Sequence, residues 1–214
     1  MEIELKYNIP DRETADRIWE SDHFASVEDA GSREAVIMKG AYFDTEDQVL
    51  RSNYISFRVR TEGTGAMATL KQKNSGNEAL HVRREINVPI RDNACLIQPS
   101  PAIFQESREG QELLKLVGER PLRCMLEIHF LRRKLRVDTG DCLCEVAIDV
   151  GEIITDAGCL PLCELEVELF TGDQKSLMEI GEGVAQRFGL KPESRSKYAR
   201  GLAFLDSSKG EEKE

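Results

Sequence analysis

Eight segments of this chain alternate apolar and polar residues with a period of two: 2–8, 35–44, 54–61, 66–73, 79–88, 124–138, 141–149 and 162–170. In extended chain, successive side chains point to opposite faces, so each segment reads as a strand with one apolar and one polar face. Helix-period patterns are fewer. They cover 11–21, with Ala15, Ile18 and Trp19 on one stripe after Pro10, and 104–117, with Leu113, Leu114 and Val117. A third runs over 174–188, with Asp173 as its N-cap and Gly189 as its stop, and a last one over 194–205. Trp19 is expected to pack in the core. Gly, Asn and Asp near 63–65, 74–77 and 139–141 suit hairpin turns. The stretch 91–112 is expected to connect two halves of one sheet. No Pro/Gly/Ser linker divides the chain, so one domain is expected over 1–206, with 207–214 (SSKGEEKE from 207) as a polar, disordered tail.

At 214 residues and 40% hydrophobic content the chain can bury a sizeable core. No apolar run approaches the roughly 18–20 residues that span a bilayer, and the opening MEIELKYNIPDRE has no apolar signal region. A cytoplasmic protein with no membrane partner is the expectation. A net charge of −10 argues against a non-specific nucleic-acid binder. The six cysteines form no C-x-x-C, and the three histidines (His23, His81, His129) are not paired at ligand spacing, so free buried thiols are expected rather than zinc.

The polar faces carry the functional argument. Glu2, Glu4 and Lys6 share one face. Arg58 and Arg60 share another, as do Lys71 and Lys73, and Arg83 and Glu85 with His81. Arg132, Lys134 and Arg136 fall together, as do Glu145 and Asp149, and Glu164, Glu166 and Glu168. One such strand is ordinary for a sheet with a wet face. The set is not, because the charges come in same-sign groups. Three glutamates about 7 Å apart in a row are electrostatically poor without an opposing cation. Carboxylates would hold a hard ion, Mg²⁺ or Mn²⁺, and arginine and lysine rows would hold phosphoryl oxygens. Both together suit a polyphosphate–metal chelate. A closed barrel would bring these faces together inside, with helices covering its apolar exterior.

In order along the chain, the motifs are E-x-E-x-K at 2–6, YFDT at 42–45, FRVR at 57–60, TLKQK at 69–73, VRRE at 82–85, AIDVGEI at 147–153, CELEVEL at 163–169 and SKYARGL at 196–202. This ordered set resembles the CYTH superfamily, the triphosphate tunnel metalloenzymes, over residues 1 to about 205. The resemblance implies an α+β fold, an eight-stranded antiparallel β-barrel tunnel covered by helices. It implies a divalent metal, Mg²⁺ or Mn²⁺, held by Glu2, Glu4 and one or more of Glu164, Glu166 and Glu168. Lys6, Arg58, Arg60, Lys71, Lys73, Arg83, Arg132 and Lys134 are implied phosphate contacts, and Lys197 a lysine reaching in from the last helix. Glu85, Asp149 and Glu166 are implied candidates for a second metal or for orienting the attacking water. Arg136 is expected beyond the tunnel mouth, and Arg84 and Arg133 on the exposed surface.

The family includes tripolyphosphatases, thiamine triphosphatases and class IV adenylyl cyclases. Aromatic residues are only 6% of this chain, and no stacking pocket for a base or thiazolium is evident. Hydrolysis of tripolyphosphate to pyrophosphate and phosphate is therefore expected, with a nucleoside or thiamine triphosphate as the alternative and a polyphosphate-binding module as the non-enzymatic one. The expected partner is a small triphosphate, and the protein a monomer or homodimer.

Overall fold

The computed structural model describes residues 2–76, 80–92 and 94–211, with side chains at all of these except 2, 73–76, 80–84 and 209–211. Its elements are β1 (Glu2–Asn8), α1 (Arg12–Glu20), β2 (Glu34–Thr45), α2 (Val49–Ser52), β3 (Ile55–Glu62), β4 (Gly65–Gly76) and β5 (Leu80–Pro89). They continue with α3 (Ala94–Ile97), a 3-10 turn (Pro101–Phe104), α4 (Arg108–Val117), β6 (Leu122–Asp138), β7 (Cys142–Thr155) and β8 (Gly158–Gly172). The last three are α5 (Gln174–Phe188), β9 (Lys191–Pro192) and α6 (Lys197–Glu211).

The strands pair antiparallel in the order β5-β4-β3-β2-β6-β7-β8-β1, and β1 pairs again with β5. That last pairing sets Glu2 against Arg83 and Leu5 against Leu80, and it joins the two ends of the eight-strand order into a barrel. The two-residue β9 continues along β1 beyond β5, opposite Tyr7 and Asn8. The alternation of the sequence thus becomes an inside and an outside.

Two apolar clusters lie outside the barrel. On one flank Leu5, Tyr7, Val146, Ile148, Leu165 and Val167 pack under α1 and α5, through Ile18, Leu177 and Val184, with Trp19 partly buried against them. On the other, Phe57, Val59 and Leu70 meet Phe104, Leu113 and Val117 of the 3-10 turn and α4. Burying each large aliphatic or aromatic side chain contributes about 1.5–3 kcal/mol, so these two faces fix which side of every strand points inward. Arg133 lies on the outer side as expected, but it is not open surface. It pairs with Asp16 of α1 at 2.8 Å, and its guanidinium lies 5.7 Å from the Trp19 ring. The side chain of Arg84 lies outside the described residues.

A third cluster is inside. Met38, Leu126, Ile128, Phe130, Ile153 and Leu162 fill one end of the barrel with Leu202 and Leu205 of α6. This helix also continues five residues into the segment read as a disordered tail. Packing of Leu202 and Leu205, and the Arg51–Asp206 ion pair, anchor it. An anchored helix extends readily, since each further residue adds a hydrogen bond without a new nucleation cost. Residues 212–214 of the expected tail lie outside the described residues.

Gly201 allows α6 its close approach, because an added Cβ would stand 2.6 Å from Leu126 Cδ2 and 2.9 Å from Ile153 Cγ2. A Gly201→Val variant should lose about 1–3 kcal/mol by overpacking. Valine's advantage over glycine in helix propensity, under about 1 kcal/mol, does not offset that. Urea denaturation read by fluorescence checks it; unchanged stability would mean that α6 sits further out. All six cysteines are free, but Cys124 and Cys159 are exposed rather than buried. They sit near the starts of β6 and β8.

Candidate functional site

The inward faces enclose a cavity of about 480 Å³. Among the described residues, seven cationic side chains (Lys6, Arg58, Arg60, Lys71, Arg132, Lys134, Lys197) and six carboxylates (Glu4, Glu62, Glu85, Glu145, Glu166, Glu168) line it. The cavity wall is therefore predominantly ionic.

Carboxylates from three neighbouring strands meet on one side of the cavity. Glu4 of β1 stands directly opposite Glu168 of β8, and Glu168 opposite Glu145 of β7. Adjacent strands are about 4.8 Å apart, so three carboxylates stand side by side in one row. Like charges directly opposite are destabilising unless a cation bridges them. Lys6 approaches Glu4 at 3.2 Å, and Lys134 approaches Glu145 at 3.5 Å. Glu145 lines the cavity on the face it shares with Asp149 in the sequence pattern, which assigned it no role.

Across the cavity, β3 presents Arg58 and Arg60. Arg58 Nη2 donates to Thr69 Oγ1 at 3.4 Å, and that hydroxyl donates to Asn87 Oδ1 at 2.7 Å. Arg60 reaches Glu62 only at 3.6 Å, and its buried Nε has no hydrogen-bond partner among the described residues. Burial, followed by Arg58 and Arg132, lowers its pKa, so cations are crowded here. Beside them Lys71 pairs with Glu85 at 2.6 Å.

The floor is a buried ion cluster. Arg132 makes a bidentate pair with Asp149, Nε to Oδ1 at 2.8 Å and Nη2 to Oδ2 at 2.7 Å, and a further bond of 2.5 Å to Glu166. Lys197 Nζ sits 2.8 Å from Asp149 Oδ2 and 2.9 Å from Glu166 Oε1, and also donates to Glu164. Lys6 adds a contact to Glu166 at 3.2 Å. Burial by itself would lower the Lys197 pKa, but Asp149, Glu164 and Glu166 outweigh it and raise it. Lys197 therefore stays protonated and acts as a fixed cation. Burial would likewise raise Glu166, but Lys197, Lys6 and Arg132 hold it well below its ordinary 4.5.

The sign of the Glu166 effect gives a pH prediction. A depressed carboxylate stabilises the fold above its ordinary pKa, and that stability is lost as pH falls through the lowered value. The stability advantage of wild type over Glu166→Gln should be constant above about pH 4.5 and shrink below it. Parallel thermal melts from pH 7 to 3 read this out, and an advantage that grows on acidification would contradict the assignment.

Oxygens of Asp149, Glu164 and Glu166 lie within 4.8 Å of one another, a spacing that could hold a metal ion. The Lys197 ammonium stands among them, so the cluster already has its cation. Glu164 and Asp149 are fully buried and do not line the cavity. Of the sequence-derived candidates, the barrel brings Glu4, Lys6, Arg58, Arg60, Lys71, Glu85, Arg132, Lys134, Glu166, Glu168 and Lys197 onto the cavity. Asp149 and Glu164 stand one layer behind it. The side chains of Glu2, Lys73, Arg83 and His81 lie outside the described residues, although the strand register sets Glu2 opposite Arg83 and Arg83 opposite Lys73. Arg136 points away, pairing with Asp29.

Sequence reading missed Arg200, which donates to Glu164 from α6, and Glu62 and Asn87 on the cavity wall. Asn87 had a signal, lying two residues beyond Glu85 on the same strand face. Glu62 likewise continues the Arg58, Arg60 face. Low aromatic content does not keep aromatic rings out of the cavity. Tyr42, Phe130 and Tyr198 all line the cavity, drawn from distant strands and α6. Each has a ring or cation partner. Tyr42 stacks on Tyr198 at 4.7 Å and 13°, and Phe130 lies 5.2 Å from Lys197 Nζ and 5.6 Å from the Arg132 guanidinium.

The CYTH domain model matches residues 1–202. This chain belongs to the CYTH family. The inorganic triphosphatase of Haemophilus influenzae is 26% identical over 166 residues, 78% of this chain and 45% of that protein. The CYTH chain thus spans less than half the length of that relative. Its barrel is similar to that of a putative adenylyl cyclase from Hippeastrum described as having a dominant triphosphatase activity, with TM-score 0.72, 19% identity, and 95% and 96% of the two chains covered. It is also similar to a putative adenylate cyclase from Bacillus halodurans, with TM-score 0.56, 16% identity, and 92% and 94% covered. At these identities the likeness establishes the fold. Among the described residues, no helix is long and apolar enough to cross a membrane.

Proposed function

We propose that this CYTH protein is a divalent-metal-dependent triphosphatase whose substrate is inorganic tripolyphosphate, cleaved to pyrophosphate and phosphate. The observation that carries this is the Glu4–Glu168–Glu145 row standing across one cavity from the Arg58–Arg60 pair. The Haemophilus influenzae relative, named an inorganic triphosphatase, supports the same reaction.

The donor set suits Mg²⁺ or Mn²⁺, because the row offers only carboxylate oxygens and repels itself without a cation. Glu4 and Glu168 would hold the ion, with Glu145 beside them and Glu2 one step along the same face of β1. When bound, it would neutralise phosphoryl charge and template the substrate.

The chain's own groups do the rest. Arg58, Arg60 and Lys71 bind non-bridging oxygens, with Lys73 and Arg83 as further contacts on β4 and β5. Arg132 and Lys197 present fixed positive charge from the floor, and Lys6 and Lys134 neutralise the flanks. Glu85 would orient the attacking water, while Asp149 would act by fixing Arg132 and Lys197. Charge neutralisation and positioning are what phosphoryl transfer asks of a protein. Tyr42 and Tyr198 stack on each other and Phe130 stands beside two cations, which supports a substrate without an organic group over one with a stacked base. The setting is taken to be the cytoplasm.

The test is phosphate release from tripolyphosphate, ATP and thiamine triphosphate, side by side, with Mg²⁺ or Mn²⁺ and with EDTA. Metal-dependent release favouring tripolyphosphate is expected. Release confined to one organic triphosphate, or cyclic AMP from ATP, would replace this reading, and tight binding without turnover would make the protein a binding module. An independent check uses Arg60, whose carboxylate partner among the described residues is Glu62 at 3.6 Å. Arg60→Ala should leave the unliganded melting temperature unchanged or raised. It should weaken tripolyphosphate binding by about 1.5–3 kcal/mol, the scale of a charge-assisted hydrogen bond. Calorimetric titration measures the second.

A further inference from the structure

Lys197 and Arg200 lie three residues apart on α6 and therefore share a helix face. They grip the two oxygens of one carboxylate: Lys197 Nζ donates to Glu164 Oε1, and Arg200 Nη2 donates to Glu164 Oε2. Glu164 is fully buried, and neither it nor Arg200 lines the cavity, whereas Lys197 does. The Asp149 and Glu166 oxygens around Lys197 are shared with Arg132 of β6. Glu164 is instead shared with α6 itself, so this pair clamps the first turn of the helix to β8.

We infer that Arg200 is a positioning residue that acts through Glu164 to fix the Lys197 ammonium at the cavity floor, and that Glu164 belongs to this relay rather than to the metal ligands. The inference rests on the reading of the cavity as a triphosphate site. A flexible lysine holds three rotatable donors on a four-carbon stem, so its usefulness to a bound phosphate depends on what orients it. A carboxylate already shared between two cations behind the wall is badly placed for an ion that must also meet the substrate.

The experiment is a double-mutant cycle on kcat for tripolyphosphate, with Mn²⁺ affinity and melting temperature measured on each variant and assays run well below melting. Arg200→Gln should lower kcat on the order of 10–100-fold, the scale for losing a partner that orients an active group. Mn²⁺ affinity should be unchanged. Arg200→Lys should recover part of the loss, and it carries the cycle if the glutamine variant does not fold. In a Lys197→Met background, Arg200→Gln should cost nothing further. Glu164→Gln should behave like Arg200→Gln, whereas Glu4→Gln loses Mn²⁺. Independent, multiplying effects of Arg200 and Lys197 would overturn the relay, and so would loss of Mn²⁺ affinity in Glu164→Gln. If wild type turns over no triphosphate, the activity reading fails by itself, and the same cycle read as tripolyphosphate affinity by calorimetry still decides the relay.

Discussion

Glu4→Gln should abolish metal-dependent turnover while leaving the barrel folded. Glu4 is buried, and faces Glu168 across β1 and β8. Losing even an outer partner of a metal site costs about 10–100-fold, so loss of a ligand should exceed 10²-fold. The fold should survive because glutamine keeps the shape and removes one member of a like-charged row. Relief of repulsion in the apo protein offsets part of the lost Lys6 contact at 3.2 Å. Mn²⁺ titration and phosphate release measured together test it. Wild-type rates in this variant would remove the carboxylate row from the chemistry.

Lys197→Met should destabilise the fold more than Glu4→Gln, Arg60→Ala or Gly201→Val. Its ammonium sits among three carboxylates, two of them fully buried. Removing one partner of a buried ion cluster costs about 3–5 kcal/mol, because the carboxylates keep their desolvation penalty and lose their counter-charge. At roughly 2–4 °C per kcal/mol for a chain of this size, the melting temperature should fall on the order of 10 °C. Lys134 provides the contrast. It too stands among three carboxylates, Glu62 at 3.3 Å, Glu145 at 3.5 Å and Glu34 at 3.7 Å. Glu34 and Glu62 are exposed, however, at 62% and 39% of their side-chain surface. Screening there should hold the Lys134→Met loss to about 1 kcal/mol or less. Equal losses from the two lysine substitutions would mean that burial is not what distinguishes the clusters.

Much of the architecture was legible because period two is a strong local signal. The strand β1 was expected over 2–8 and spans Glu2–Asn8, and the helix at 174–188 matches α5 from its Asp173 cap to Gly189. Short elements were not legible. The one-turn helices α2 and α3 and the two-residue β9 are too brief to show a period. The end of α6 was misplaced because a polar composition says nothing about a helix that is anchored upstream.

The site divides along the same line. A residue's face on its strand follows from parity, which a sequence records. Parity placed Glu4, Glu168, Arg58, Arg60 and Lys71 on one interior, and the cavity contains all five. Depth along the barrel depends on strand register and stagger, which no local pattern records. That is why Glu164 and Glu168, four residues apart on one face, differ so much: one is locked behind the floor by Lys197 and Arg200, and the other lines the cavity. It is also why Tyr42, Phe130 and Tyr198 meet there. Sequence alone determined which side chains face inward, since alternation is a property of the extended backbone. Tertiary structure decided which of them line the cavity and which stand behind it, since that depends on contacts between residues far apart in the chain.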